Sequence, residues 1–182
     1  MKLMIASDLH GSAYYVDALL RRYAEEKPEK LVLLGDLLYH GPRNDLPQEY
    51  DTKKCAALLN ALEEVPLCVR GNCDGEVDQM VLQFPVLADF AAVFADGYTL
   101  YLTHGHHLED AARTLAAGDI LLYGHTHVPA FKCKDEIYYV NPGSVSIPKE
   151  NSRHSYLLFE NGVFTWKDVE TGEVWHTEHT EM

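Results

Sequence analysis

The sequence feature that most constrains this chain is a glycine followed by two histidines at alternate positions. His125 and His127 follow Gly124 just after the apolar run 120–122. In an extended segment successive side chains point to opposite sides, so these two imidazoles lie on one side, about 6–7 Å apart. That separation suits two ligands that each bind one of two metal ions about 3.5–4 Å apart. A surface turn that happens to contain histidines is the alternative for this motif taken alone.

The same arrangement recurs at the ends of other apolar runs. Runs typical of β-strands cover residues 2–7, 30–34, 66–69, 98–103, 120–123 and 137–140. Five of these six runs lead into metal-competent side chains: Asp8 and His10, Asp36, Asn72, His104, and His125 with His127. Open α/β sheets bind ligands outside the carboxyl ends of their strands. We therefore expect these side chains to converge on one site.

The spacing of apolar residues between the runs predicts an α/β fold. Helical spacing is found in three segments: Val16, Leu19, Leu20 and Tyr23; Cys55, Leu58, Leu59 and Leu62; and Leu108, Ala111, Ala112 and Leu115. Asp-Gly at 96–97 and Asn-Gly at 161–162 are typical of two-residue hairpin turns, so part of the pairing is antiparallel and the sheets are mixed. The chain has no repeats and no obvious linker, so residues 1–182 are expected to form a single domain.

Charge and composition narrow the class of protein. The formal net charge of −13 argues against a long nucleic acid as partner, because proteins that bind one usually present a basic face. No apolar run approaches the roughly 18 residues of a membrane span, and no signal-peptide pattern opens the chain. The expected location is cytoplasmic, without a membrane partner. The four cysteines lack C-x-x-C spacing and are expected to be free thiols.

Taken together and in chain order, the motifs resemble those of the calcineurin-like metallophosphoesterases over essentially the whole chain. They are Asp8-x-His10, Gly35-Asp36, Gly71-Asn72, His104-Gly105 and Gly124-His125-x-His127. Three further segments narrow the resemblance to the YfcE-type bacterial phosphodiesterases: Gly41-Pro42-Arg43-Asn44, Arg70-Gly71-Asn72-Cys73-Asp74 and the stretch 141–148. The resemblance implies two mixed β-sheets packed as a sandwich and flanked by helices, in four α/β/β/α layers.

The resemblance also implies a site for two divalent transition metal ions. One ion would be held by Asp8, His10, Asp36 and His127, and the other by Asp36, Asn72, His104 and His125. Imidazole and oxygen ligands without thiolate suit Mn, Fe, Zn, Ni or Co better than Ca. YfcE-type relatives favour Mn, which is the expected ion here.

The predicted activity is hydrolysis of a small phosphodiester. Two cations lower the pKa of a bridging water, so that hydroxide attacks phosphorus directly. No serine or cysteine shows the base partner that a covalent nucleophile needs. A phosphomonoesterase or nucleotidase is one alternative, and a catalytically weak binding scaffold, as in a retromer subunit of this fold, is another. The filled set of seven ligand positions favours an enzyme. Relatives commonly form homo-oligomers, so a dimer or tetramer is expected.

Five other residues are candidates for substrate binding: Arg43, Asn44, Arg70, Cys73 and His106. Arg43 and Asn44 lie in a loop that follows Asp36, and a solvated loop is the alternative for them. Arg70 precedes Asn72 by two positions and is expected either to contact phosphate or to form a structural ion pair. His106 is two positions from His104, which favours a substrate contact over a direct metal ligand.

Cys73 departs from the wider superfamily, in which this position is often a histidine that acts as general acid at the leaving group. A thiol with an ordinary pKa of about 8.5 is a poorer proton donor near pH 7 than an imidazolium. Bound cations would favour the thiolate further. Three other histidines, His154, His176 and His179, match no motif and are expected at the surface.

Overall fold

The computed structural model describes residues 1–180 of the chain, and strands alternate with helices along most of its length. The helices are α1 (Ala13–Glu26), α2 (Thr52–Asn60), α3 (Glu76–Val81) and α4 (Leu108–Ala112). The first strands are β1 (Leu3–Ala6), β2 (Lys30–Leu33), β3 (Leu67–Cys68), β4 (Ala91–Ala95), β5 (Tyr98–Leu102) and β6 (Ile120–Leu122). The remaining strands are β7 (Ala130–Lys134), β8 (Ile137–Asn141), β9 (Ser155–Glu160), β10 (Val163–Asp168) and β11 (Val174–His179).

The strands form two mixed sheets, which confirms the predicted fold class. One sheet has six strands in the order β11-β10-β9-β1-β2-β3, and the other has five in the order β4-β5-β6-β8-β7. The pairs β1–β2, β2–β3, β5–β6 and β6–β8 are parallel. The hairpins β4–β5 and β9–β10, expected from the Asp-Gly and Asn-Gly turns, are antiparallel. The domain boundary stays a prediction, and residues 181–182 lie outside the described part.

The alternation of side chains along β1 divides the apolar core into two clusters. Leu3 and Ile5 belong to the cluster between the two sheets, together with Phe159 and Trp166. Met4 and Ala6 face the second cluster, which also contains the buried apolar side chains of α1 and α2. Because β1 is buried on both faces, its backbone is fixed from both sides. The first candidate ligands, which directly follow β1, therefore start from a rigid base.

Parallel pairing brings the carboxyl ends of the strands in both sheets to one edge of the sandwich. Hydrogen bonds then join the loops of the two sheets at this edge. The backbone N–H of His125, after β6, donates to Oδ2 of Asp8, after β1, at 3.0 Å. The ring Nδ1 of His104, after β5, donates to the carbonyl of Leu34, after β2, at 2.6 Å. The candidate ligands thus lie at the junction of the two sheets.

Two elements were not predicted from the sequence, and α4 is shorter than predicted. Helix α3 has no buried side chain, and strand β7 is exposed over Lys132, Cys133 and Lys134, so neither has the apolar periodicity of a core element. Strand β11 ends at His179. None of the four helices is long and apolar enough to cross a membrane, among residues 1–180.

The core between the sheets gives the first testable prediction. Phe159 is fully buried and its ring packs 4.9 Å from that of Phe164. Phe159→Ala is expected to lower the free energy of unfolding by about 3–5 kcal/mol, because it removes buried surface and leaves a cavity. Urea denaturation followed by circular dichroism measures this loss. Phe94→Ala is the matched control, since Phe94 is 78% exposed, and its effect is expected to stay within about 0.5 kcal/mol. Equal losses in the two variants would contradict this description of the core.

Candidate metal centre

Five of the seven predicted metal ligands have a left-handed backbone. They are Asp8, His10, Asp36, His125 and His127, with φ values of 58°, 46°, 55°, 65° and 60°. Residues with a side chain rarely adopt this conformation, and each instance costs on the order of 1–3 kcal/mol unless its surroundings enforce it. Hydrogen bonds between neighbouring strand ends enforce it here: Asp8 N donates to Gly35 O at 3.1 Å, and His10 N donates to Asp36 O at 2.9 Å. These sharp turns aim the side chains at one centre.

Asp8, His10 and His127 form the first buried group of possible ligands. Nε2 of His127 lies 3.3 Å and Nε2 of His10 lies 3.6 Å from Oδ1 of Asp8. The two Nε2 atoms are 3.2 Å apart. Oδ1 of Asp8 is buried without a hydrogen-bond partner in the part of the chain that the structure describes. An unsatisfied carboxylate oxygen that faces two imidazole nitrogens fits a bound cation.

Asp36, His104 and Asn72 lie beside this group. Nε2 of His104 is 3.4 Å from Oδ2 of Asp36 and 3.1 Å from Oδ1 of Asn72. Asp36 also faces the first group, because its Oδ2 is 3.6 Å from Nε2 of His10. The ring of His125 lies 5.2 Å from that of His104, measured between centroids, and is partly exposed. The structure therefore brings all seven predicted residues to the same centre, with Asp36 between the two groups.

Backbone carbonyls orient three of the imidazoles. Nδ1 of His10 is 2.8 Å from the carbonyl oxygen of Tyr39, and Nδ1 of His127 is 2.6 Å from that of Ile147. His104 makes the corresponding contact with Leu34. A carbonyl oxygen only accepts, so Nδ1 must carry the proton and donate it. In the neutral ring this leaves the lone pair on Nε2, which is the atom that faces the centre and the one that a metal would need.

The carboxylates and imidazoles of the centre shift one another's pKa values. Burial would raise the pKa of Asp8, but His10 and His127 hold that pKa well below its ordinary value. Burial lowers the pKa of His104, but Asp36 and Asp8 outweigh it and raise the pKa to about 9. The metal-free centre therefore keeps a proton on His104 near pH 7. Because a metal needs the neutral ring, cation binding displaces that proton.

Asp74 is a buried carboxylate that sequence reasoning missed as a functional residue. Its Oδ2 accepts hydrogen bonds from the backbone N–H of Asp36 at 2.7 Å and of Gly71 at 2.8 Å. Its Oδ1 accepts from Leu37 N at 2.8 Å. Burial and the charge of Asp36 raise the pKa of Asp74 to about 6, against the effect of these donors. Asp74 thus joins the loop of Asp36 to the loop of Asn72, next to Cys73.

Two glycines allow the close approach of these loops. A Cβ atom on Gly71 would lie 2.1 Å from Oδ1 of Asp36. A Cβ atom on Gly124 would lie 1.9 Å from Oγ of Ser7 and 2.8 Å from Oδ2 of Asp8. Neither position has room for a side chain. The glycines that precede Asn72 and His125 in the sequence motifs therefore have a steric cause.

A polar cavity of about 300 Å³ opens over the centre. Arg43, Asn44 and Cys73 line it, as the sequence suggested, and Lys149 is a further lining residue that sequence reasoning missed. Lys149 follows the stretch 141–148, and its backbone N–H donates to the carbonyl of His127 at 3.1 Å. Tertiary contacts bring Lys149 to the cavity, and the spacing of residues in the sequence does not indicate them. The cavity is lined by two cationic side chains, Arg43 and Lys149, and by the carboxylate of Asp36 and imidazoles of the centre.

The structure does not bring Arg70 into this cavity. Its Nε donates to the carbonyl of Asp74 at 3.2 Å, and its guanidinium lies 3.9 Å from Asp89, as in the structural ion pair considered as the alternative. The ring of His106 is 5.6 Å from that of His104, and His106 lines a neighbouring cavity. His176 and His179 are exposed, and His154 is partly exposed, with its ring stacked on that of Tyr15 and its Nδ1 donating to Val145 O at 2.9 Å.

Cys73 is half-buried beside the predicted ligands. Its backbone N–H donates to Oδ1 of Asp36 at 2.8 Å, and its Sγ lies 3.3 Å from Nδ2 of Asn72. Burial and the charge of Asp36 raise the pKa of the thiol to about 12. In the metal-free protein this thiol is protonated, and a protonated thiol is a weak nucleophile.

Comparison with known proteins gives consistent matches. A family model for the calcineurin-like phosphoesterase superfamily domain matches residues 1–162. Phosphodiesterase YfcE of Escherichia coli is 46% identical over 166 residues, which cover 91% of this chain and 90% of that protein. A solved structure of the E. coli phosphoesterase YfcE has a TM-score of 0.93 and 42% identity over 100% of both chains. Vacuolar Protein Sorting 29 from Cryptosporidium parvum, with a TM-score of 0.64 and 18% identity over 100% of this chain and 97% of its own, shares the fold alone.

Asp74 gives the second testable prediction. Asp74→Asn keeps one acceptor oxygen and turns a donor NH₂ toward backbone N–H groups, so it is expected to cost about 1–3 kcal/mol of stability. It is also expected to weaken cation binding, because the loops of Asp36 and Asn72 lose their common acceptor. Urea denaturation measures the first effect, and calorimetric titration of the apo-protein with Mn²⁺ measures the second.

A neighbouring carboxylate provides the control for this prediction. Oδ2 of Asp78 accepts a hydrogen bond from Gly75 N at 2.7 Å, at the start of α3. Asp78→Asn is expected to leave the affinity for Mn²⁺ unchanged. Equal loss of affinity in both variants would show that Asp74 does not act through the ligand loops.

Proposed function

The chain belongs to the calcineurin-like phosphoesterase superfamily and is a hydrolase of phosphoric ester bonds, and we propose that it is a phosphodiesterase that uses two divalent cations. The family membership expected from the motifs is thereby confirmed. One observation carries the proposal of a metal site. Asp8, Asp36 and three imidazoles meet in a buried centre, with Nε2 of each ring and an unsatisfied oxygen of Asp8 facing inward.

The donor set fits two divalent transition metal ions. In our proposal the first is held by Asp8, His10, Asp36 and His127, and the second by Asp36, Asn72, His104 and His125. Asp36 would belong to both sets, since its Oδ2 lies near an imidazole of each. Nitrogen and oxygen ligands favour Mn²⁺, Fe²⁺, Co²⁺, Ni²⁺ or Zn²⁺, and Mn²⁺ is our first candidate. Cations bound there supply Lewis acidity at the phosphoryl group.

The residues around the centre bind and orient the substrate in this proposal. Arg43 and Lys149 bring positive charge to the cavity wall, where they attract the anionic phosphodiester. Asn44 is fixed by its own hydrogen bond to His40 O at 2.8 Å, so it stabilises the shape of the loop and lines the cavity. In this proposal water attacks phosphorus directly, because the thiol of Cys73, with its pKa raised to about 12, is protonated and a protonated thiol is a weak nucleophile.

We also propose the class of partner. The cavity of about 300 Å³ suits a small phosphodiester, and the net charge of −13 disfavours a long nucleic acid or an anionic membrane surface. A homo-oligomer, either a dimer or a tetramer, is proposed because large apolar side chains remain at the surface, with Met80 83% and Val77 73% exposed. The proposed location is the cytoplasm.

A matrix of metals and substrates tests the proposed function. The metal-free protein is supplied with Mn²⁺, Ni²⁺, Co²⁺, Zn²⁺ or Mg²⁺ and assayed with an aryl phosphodiester, an aryl phosphomonoester and cyclic nucleotides. The highest rate is expected for the aryl diester with Mn²⁺, and none with chelator alone. A preference for the monoester would favour the phosphomonoesterase alternative, and absence of turnover with every pair would favour the binding scaffold.

Asp36 gives the third prediction. Asp36→Asn is expected to reduce hydrolysis by at least about 10³-fold and to lower metal content, because a neutral amide cannot bridge two cations as a carboxylate does. Metal analysis of the purified variant and steady-state kinetics measure the two effects. Asp78→Asn again serves as control and is expected to keep both. Two bound metal ions and full rate in Asp36→Asn would exclude the bridging role.

Cys73 gives the fourth prediction. A thiol with a pKa of about 12 donates a proton poorly near pH 7, so leaving groups that need protonation are expected to react slowly. Cys73→His is expected to narrow the gap between aryl and alkyl esters, whereas Cys73→Ser changes aryl ester hydrolysis little. A plot of log rate against leaving-group pKa is expected to be steep for the native enzyme and shallower for Cys73→His. Equal slopes would contradict this role for position 73.

A further inference from the structure

A second cavity of about 310 Å³ lies beside the metal centre and has a different chemical character. Its walls are mainly apolar and include the ring of Phe90, the methyl group of Ala111 and the side chain of Thr103. Phe90 is 40% exposed and lies against Tyr101, with ring centroids 5.4 Å apart. A volume of this size is at the lower end of the roughly 300–1,000 Å³ found for small-molecule sites.

His106 is the residue that connects this cavity to the metal centre. It lines the second cavity, and its ring centroid is 6.2 Å from that of His125, which lines the cavity over the metal centre. Nδ1 of His106 is buried and has no hydrogen-bond partner among residues 1–180. A substituent on a phosphoryl group over the centre therefore needs to pass only one imidazole to enter the second cavity.

The charged side chains around the two cavities differ. Arg43 and Lys149 line the cavity over the metal centre, whereas the second cavity has no lysine or arginine among its described lining residues. Its two acidic residues, Asp89 and Asp110, are each paired with an arginine, at 3.9 Å and 3.2 Å, so the second cavity offers no free positive charge to an anionic group. A neutral, flat, apolar group fits it, since such a group packs against Phe90 and loses contact with water.

We propose that this second cavity is a subsite for a neutral aromatic substituent of the phosphodiester, the one that stays on phosphorus after hydrolysis. The subsite selects aromatic phosphodiesters over those with a small alkyl group. This inference rests on the proposed phosphodiesterase function and adds the class of substrate to it. His106 forms the wall between the two parts of the site.

Two substrates with the same leaving group test the subsite. Phenyl 4-nitrophenyl phosphate and methyl 4-nitrophenyl phosphate both release 4-nitrophenolate and differ in the group that remains on phosphorus. With the metal that supports the highest activity, native kcat/KM is expected to be about tenfold higher for the phenyl ester, mainly through a lower KM, since about 1.4 kcal/mol of apolar contact gives this factor. Equal kcat/KM for the two esters would overturn the inference and leave the phosphodiesterase function intact.

Filling the cavity is the second arm of the test. Ala111→Trp is expected to lower kcat/KM for the phenyl ester about tenfold and to leave the methyl ester within twofold. Ala117→Trp places the same side chain at an exposed position of the neighbouring segment outside the cavity, and is expected to change neither. Loss of both activities to the same degree in Ala111→Trp, with Ala117→Trp unchanged, would show that the cavity does not distinguish the substituents and would overturn the inference.

A binding measurement separates the subsite from turnover. Phenylphosphonate and methylphosphonate are titrated into the native protein and into Ala111→Trp by calorimetry. Native protein is expected to bind phenylphosphonate more tightly, and Ala111→Trp is expected to remove this difference. If neither ester were hydrolysed, the proposed function would fail, while this titration would still decide the subsite: equal affinities in native protein would overturn it.

Discussion

The structure of this site depends on the burial of two carboxylates in one centre. Asp8 is fully buried and Asp36 is 2% exposed. Burial would raise the pKa of both carboxyls, but the imidazoles that face them, His10 for Asp8 and His104 for Asp36, hold each pKa below its ordinary value. Two like charges out of water are costly unless donors or cations surround them. The chain supplies donors from its backbone, since His125 N donates to Asp8 and Cys73 N donates to Asp36. Imidazoles also face the two carboxylates. Among residues 1–180, Oδ1 of Asp8 has no hydrogen-bond partner, and a bound cation would compensate the charge of this oxygen.

This constraint connects the site to the core of the sandwich. The backbone that aims the ligands is left-handed at five positions, so it needs support from elements that do not move. Trp166, which is fully buried between the sheets, donates from its indole N–H to Asn141 O at 2.9 Å. Asn141 in turn donates from Nδ2 to Gly124 O at 2.8 Å, directly before His125. Two hydrogen bonds therefore connect the packed core between the sheets to the loop that carries His125.

The convergence of the ligands was predictable from the sequence, whereas their support was not. Asp8 and His127 follow apolar runs, so their place at strand ends follows from local pattern and from the common direction of parallel strands. Asp74 and Lys149 were missed because their roles depend on contacts with loops far away in the chain. The stacking of His154 on Tyr15 was not predicted for the same reason, since the two residues are 139 positions apart in the chain. When a side chain packs against residues far away in the chain, the local sequence shows no periodic pattern of apolar residues that would predict the contact.

A proton and a metal cation compete for the same lone pair, that on Nε2 of His104. In the metal-free protein the raised pKa of His104 stabilises the fold fully below its ordinary pKa of 6.5, and this contribution is lost as pH rises through about 9. The same carboxylates, Asp8 and Asp36, that hold the proton would hold the cations. Proton and cation are thus alternative ways to neutralise one centre, and the apparent affinity for cations must fall as pH falls below about 9. A proton on His104 compensates part of the negative charge of the metal-free centre, so we expect the metal-free protein to stay folded.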